Sequence, residues 1–136
     1  MNPPMMENKG QSIRNIIIIF GVFLAFCLAG CSSDNEITQF PIGLFDCVEC
    51  QGFTERYSAD GTLIVYMKGY KFISGKWFVE GDVFHTGDSF CQDLEKMPAT
   101  YKWKFDGDIL TFRVIEDECS DRVSSMDGKP WKLIEE

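Results

Sequence analysis

In Ala99-Thr100-Tyr101-Lys102-Trp103-Lys104-Phe105, apolar or aromatic residues stand at 99, 101, 103 and 105 with polar ones between them. A period of two marks a strand with one buried face, because successive side chains leave opposite sides of the chain. Beyond Asp106-Gly107-Asp108, the residues Leu110, Phe112 and Val114 alternate with Thr111 and Arg113, so the two runs read as a hairpin. The same signal, Gly beside an acid between aromatic-rich runs, recurs at Ala59-Asp60-Gly61 and Glu80-Gly81-Asp82. Tight turns that require positive φ select this chemistry. Further strands are predicted near 43–49, 52–58, 62–67, 70–79, 82–87 and 130–135, which makes about eight in all. No helical period is sustained over about ten residues, and no repeat of solenoid length is visible.

Short antiparallel strands joined mainly by tight turns point to an all-β fold, a small eight-stranded up-and-down barrel that removes exposed strand edges by closing on itself. Such a barrel is just wide enough to be packed with side chains or to hold one small ligand. About 105 residues is short for a walled cavity, so a shallow or partly filled interior is expected. Aromatics at strand spacing serve either purpose, and Trp77, Tyr101, Trp103 and Phe105 are the candidate ligand-binding residues.

Ahead of this region, Lys9 and Arg14 precede a run from Ile16 to Ala29 without a charged side chain. At about 14 residues the run is shorter than the roughly 20 that a spanning helix needs, and it fits a secretory signal. Leu28-Ala29-Gly30-Cys31 is identified as a lipobox of bacterial lipoproteins, in which the cysteine is acylated and becomes the new N-terminus. The expected organisation is a signal peptide over 1–30, lipidated Cys31 with a polar tether over 31–39, and a barrel domain over 40–136. Cleavage would remove Lys9, Arg14 and Glu7 from 13 basic and 21 acidic residues, leaving a net charge of about −9. An acidic surface without Lys/Arg clusters excludes nucleic acid as a partner.

Of the six cysteines, Cys27 falls in the signal and Cys31 carries the lipid. Cys47, Cys50, Cys91 and Cys119 remain, an even number in an exported domain, and two disulfides are expected. A Cys91 to Cys119 bridge is favoured, with Cys47 and Cys50 as either a local bridge or a free pair. The former closes a loop of about 28 residues and would contribute roughly 3 to 4 kcal/mol in the chain-entropy model.

Candidate chemistry is sparse. Cys47-Val48-Glu49-Cys50 has redox-pair spacing, but Gln51-Gly52-Phe53-Thr54 reads as turn and strand where a thioredoxin-like pair needs a helix start. A single histidine, His85, excludes a site built on several imidazoles, and no Gly-x-Ser-x-Gly elbow is present. Glu116-Asp117-Glu118 with Asp121 reads as a solvated loop, and Asp106 and Asp108 as turn formers. No catalytic residue, metal or cofactor is expected.

From Cys91 onward the chain carries Tyr101-Lys102-Trp103, Asp106-Gly107-Asp108, Leu110, Phe112, Asp117-Glu118-Cys119-Ser120-Asp121-Arg122 and Pro130-Trp131. This resembles the closing pattern of small bacterial lipocalin-like proteins: an aromatic strand, an Asp-Gly turn, an Asp-x-Cys-x-x-Arg segment and a final Pro-Trp. The resemblance covers roughly residues 75 to 132. Gly43-Leu44-Phe45 stands where many lipocalins have Gly-x-Trp, and Gly75-Lys76-Trp77 falls mid-chain. The resemblance implies a calycin-type barrel that binds apolar small molecules, and a structural pairing of Arg122 with Trp131 near the closed end. Ser32 after Cys31, and the acidic residues Asp34 and Glu36, resemble signals for the outer membrane and its surface. The expected role is therefore a membrane-anchored envelope lipoprotein whose barrel binds a small hydrophobic ligand. The alternative is a filled barrel acting through its outer face on a protein partner.

Overall fold

A computed structural model describes residues 39–135. The expected signal peptide, Cys31 and residues 31–38 of the tether lie outside the described residues. The described chain forms β1 (Gly43–Cys47), β2 (Phe53–Tyr57), β3 (Thr62–Met67), β4 (Tyr70–Glu80), β5 (Val83–Asp88), β6 (Ala99–Asp106), β7 (Ile109–Glu116), a short helix α1 (Ser120–Met126) and β8 (Pro130–Glu135). Each strand pairs with its sequence neighbours, and β8 returns to β1 through Leu133 opposite Phe45 and Trp131 opposite Cys47. The result is a closed eight-stranded antiparallel barrel.

Alternation decides what points inward. On β6, Ala99 and Tyr101 are buried while Lys102 and Lys104 face solvent. On β7, Leu110 and Phe112 are buried, and Arg113 is exposed. The predicted turn glycines have the required backbone, with φ of +82° at Gly61, +62° at Gly81 and +67° at Gly107.

The helix α1 was not anticipated. At seven residues it falls below the length at which periodicity is legible, and isolated helices so short are unstable in water. Tertiary contacts hold it: Arg122 and Met126, one turn apart, are both buried.

The two ends of the barrel differ. At one end lie the tight turns around Gly61, Gly81 and Gly107 and the entry of the chain into β1. Phe40, just ahead of β1, plugs this end, with ring centroids 4.7 Å from Trp77 and 5.2 Å from each of Tyr57, Phe84 and Trp103. Aromatic pairs at such distances contribute about 0.5 to 1.5 kcal/mol each beyond burial. The opposite end carries the longer connections, both disulfides and α1. The eight barrel strands, their apolar core and both disulfides lie within residues 39–135, so this region has its own core and meets the physical definition of a domain, a unit able in principle to fold alone.

Candidate functional site

Inside the loop-bearing end lies a cavity of about 430 Å³. Its walls are largely apolar, formed by Phe53, Leu63, Val65, Ile73, Met126 and Trp131. Phe72 and Phe90 also line it, with centroids 6.0 Å apart. Both are about half exposed, which sets them at the mouth.

Two inward strand positions are charged, Asp88 at the end of β5 and Glu55 on β2. The alternation that turns Phe53 and Tyr57 toward the interior also turns Glu55 inward, and Glu55 is only 5% exposed. The Tyr57 hydroxyl donates to its Oε2. Among the described residues no donor reaches the other carboxylate oxygen, and the residue lines the cavity. Burial pushes the Glu55 carboxyl up to about 7, helped by the nearby charge of Asp88 and only partly opposed by the Tyr57 bond. Tyr57 itself is raised well above its ordinary value, by burial first and then by Glu55.

Beside the cavity, Arg122 organises the loops. Its Nε and Nη2 donate to the two oxygens of Asp117 at 2.7 and 2.8 Å, and its Nη1 and Nη2 donate to the two oxygens of Asp93 at 3.0 and 2.8 Å. Nη1 also donates to Asp88 at 2.8 Å. Paired, parallel N–H···O bonds of this kind are the strongest that an arginine makes with carboxylates. The carboxylates in turn fix backbone: Asp88 accepts from the Cys91 N–H, Asp93 from the Asp88 N–H and Asp117 from the Cys119 N–H. Burial works against the charges of Asp93 and Asp117, but the Arg122 bonds outweigh it and hold both carboxyls below the usual range. Arg122 is likewise held above its ordinary value, burial being overcome by Asp117, Asp93 and Asp88. The approach is close enough that Gly87 admits no side chain, since a Cβ there would stand 2.4 Å from the Asp93 carbonyl oxygen.

The disulfides brace the same end. Cys91–Cys119 joins the β5–β6 connection to the segment leading into α1, and Cys47–Cys50 closes the β1–β2 loop. The Asp-x-Cys-x-x-Arg spacing thereby acquires a physical meaning. Asp117 and Arg122 grip each other, and the cysteine between them is tied to the loop that carries Asp88 and Asp93.

Several expectations need correction in detail. Trp77, Tyr101, Trp103 and Phe105 do not line this cavity. Trp77 and Trp103 donate their indole N–H groups to the Thr62 and Gly81 carbonyls near the plugged end. Tyr101 is buried with its hydroxyl on Asp117, and Phe105 packs edge-on to Phe45. Arg122 and Trp131 line the cavity at the loop-bearing end instead of closing the plugged one. No stacking between the two is found among the described residues, because the guanidinium is held by carboxylates. Asp117, read as part of a solvated loop, has a fully buried side chain.

His85 stacks on Phe78 at 4.3 Å with its Nε2 3.4 Å from Glu80, well away from the cavity lining. Cys47 ends a strand and Cys50 lies in the turn beyond it, so the pair lacks the helix start that would activate a redox thiol. Among the described residues, no group of three or more His, Cys, Asp and Glu side chains is arranged to hold a metal ion. Comparison with protein-family models, curated proteins and solved structures gave no match.

Proposed function

We propose that this chain is an envelope lipoprotein, anchored through Cys31, whose lipocalin-like barrel takes up a small hydrophobic ligand at its loop-bearing end. The observation that carries this reading is the cavity of about 430 Å³ with apolar walls and a mouth flanked by Phe72 and Phe90. That volume is within the range of small-molecule sites, which are mostly apolar with a few placed polar groups. The filled-barrel alternative accounts for the plugged half of the interior only.

Phe40 stands nine positions after Cys31, and nine extended residues reach at most about 30 Å. A lipid on Cys31 would therefore keep the plugged end within that distance of the bilayer, while the mouth lies at the opposite end of the barrel. The test is native mass spectrometry of the chain from Ser32 onward. Co-purified apolar mass, or saturable uptake of an added alkyl compound, is expected. Repeated absence of both would refute the binding role.

A further inference from the structure

The charges around the cavity do not balance. Glu49, Glu55, Asp88 and Asp121 line it against Arg122 and Lys129. Lys129 is paired with Glu49 at 3.1 Å. The single guanidinium of Arg122 already serves Asp88, Asp93 and Asp117, so nothing cationic in the wall is left for Glu55. A buried carboxylate without a cationic partner is costly, and proteins avoid it unless a ligand or a proton answers the charge. Glu55 is buried, lines the cavity and has one oxygen without a donor among the described residues, in a chamber whose walls are largely apolar.

We propose that the ligand is an amphiphilic organic cation, an ammonium group on an apolar body, whose N–H donors bind Glu55 while the apolar part lies against Val65, Ile73, Met126 and the mouth phenylalanines. This deepens the binding role proposed above and rests on it. The wall holds a neutral unpaired donor, the buried Trp131 indole N–H, but no free cation; an ammonium supplies a positive charge against the surplus of carboxylates together with N–H donors for the second oxygen of Glu55. The acidic surface of the chain, with a net charge of −8, draws cations toward the site and repels anionic amphiphiles of the fatty-acid kind.

The experiment compares decylamine, decanol and decanoate, which share one chain length and differ in head group, by calorimetric titration of the chain from Ser32 onward at neutral pH. Decylamine is expected to bind about ten-fold or more tightly than decanol, the scale of one charge-assisted hydrogen bond, and decanoate most weakly. In Glu55→Gln the preference for the amine over the alcohol should fall by a similar factor. Equal binding of all three, or an amine preference unchanged by Glu55→Gln, would overturn the cation assignment and leave the hydrophobic site standing. If none of the three binds, the assignment and the binding role fail together.

Discussion

Replacing Glu55 by Gln should stabilise the protein, and by an amount that depends on pH. In the unfolded chain the carboxyl titrates at its ordinary value of 4.5, and in the barrel at about 7. Below the first value both states hold the proton and the group is neutral toward folding. As pH rises toward the second, the unfolded chain releases a proton that the folded chain retains, and stability is lost. At about 1.4 kcal/mol per pH unit, the loss reaches about 3 kcal/mol once the folded group has ionised. The amide of Gln accepts the Tyr57 hydroxyl as the carboxylate does and cannot ionise. Glu55→Gln should therefore match the wild type near about pH 4 and exceed it by about 3 kcal/mol near about pH 8, a rise in Tm of roughly 10 to 20 °C for a domain of this size. Urea and thermal melts of both proteins across that range measure it. A Glu55→Gln protein less stable than the wild type at alkaline pH would mean that the carboxylate has a stabilising partner, and the argument from an unanswered charge would collapse.

Other perturbations probe other parts of the account. Arg122→Ala leaves three carboxylates without their cation and should cost about 3 to 5 kcal/mol in urea unfolding; a loss near zero would show that the ion cluster is incidental. Because Asp93 and Asp117 are held below the ordinary carboxyl value of 3.8, their contribution is present above that value and disappears as pH falls further. The urea midpoint of the wild type should accordingly drop below about pH 4, and this drop should be smaller in Arg122→Ala. Phe40→Ala removes the plug and should destabilise by about 3 to 5 kcal/mol, whereas an unchanged midpoint would place Phe40 outside the cooperative core. Val65→Trp, which fills the cavity, should abolish uptake of alkyl ligands, while Trp103→Phe at the plugged end should leave it intact; the reverse pattern would move the site.

Much of the barrel was legible because the information is local. Alternation over residues 99 to 105 and Gly beside an acid in three turns are short-range signals, and they placed all eight strands with ends shifted by only a residue or two. The site was harder for a physical reason. Which aromatics pack and which line a void depends on the position of each strand along the barrel axis, and period two says nothing about that. Trp77 and Trp103 thus look the same in sequence as wall residues would, yet the chain entering at Phe40 fills their end of the interior. The cluster around Arg122 joins residues 29 and 34 positions apart, beyond the reach of any local pattern. One signal was present and not used: Glu55, at an inward parity between Phe53 and Tyr57, is a charge where the strand pattern calls for an apolar side chain.

The most direct test of the central claim, that the hollow end takes the ligand, is a methyl NMR titration of the chain from Ser32 onward with decylamine. The methyl groups of Leu63, Val65, Ile73 and Met126, which line the cavity, should shift together and saturate, while that of Leu110, buried outside the cavity lining, stays in place. Shifts confined to exposed methyls such as those of Val114, Ile115 and Ile134, with the cavity methyls unmoved, would contradict it.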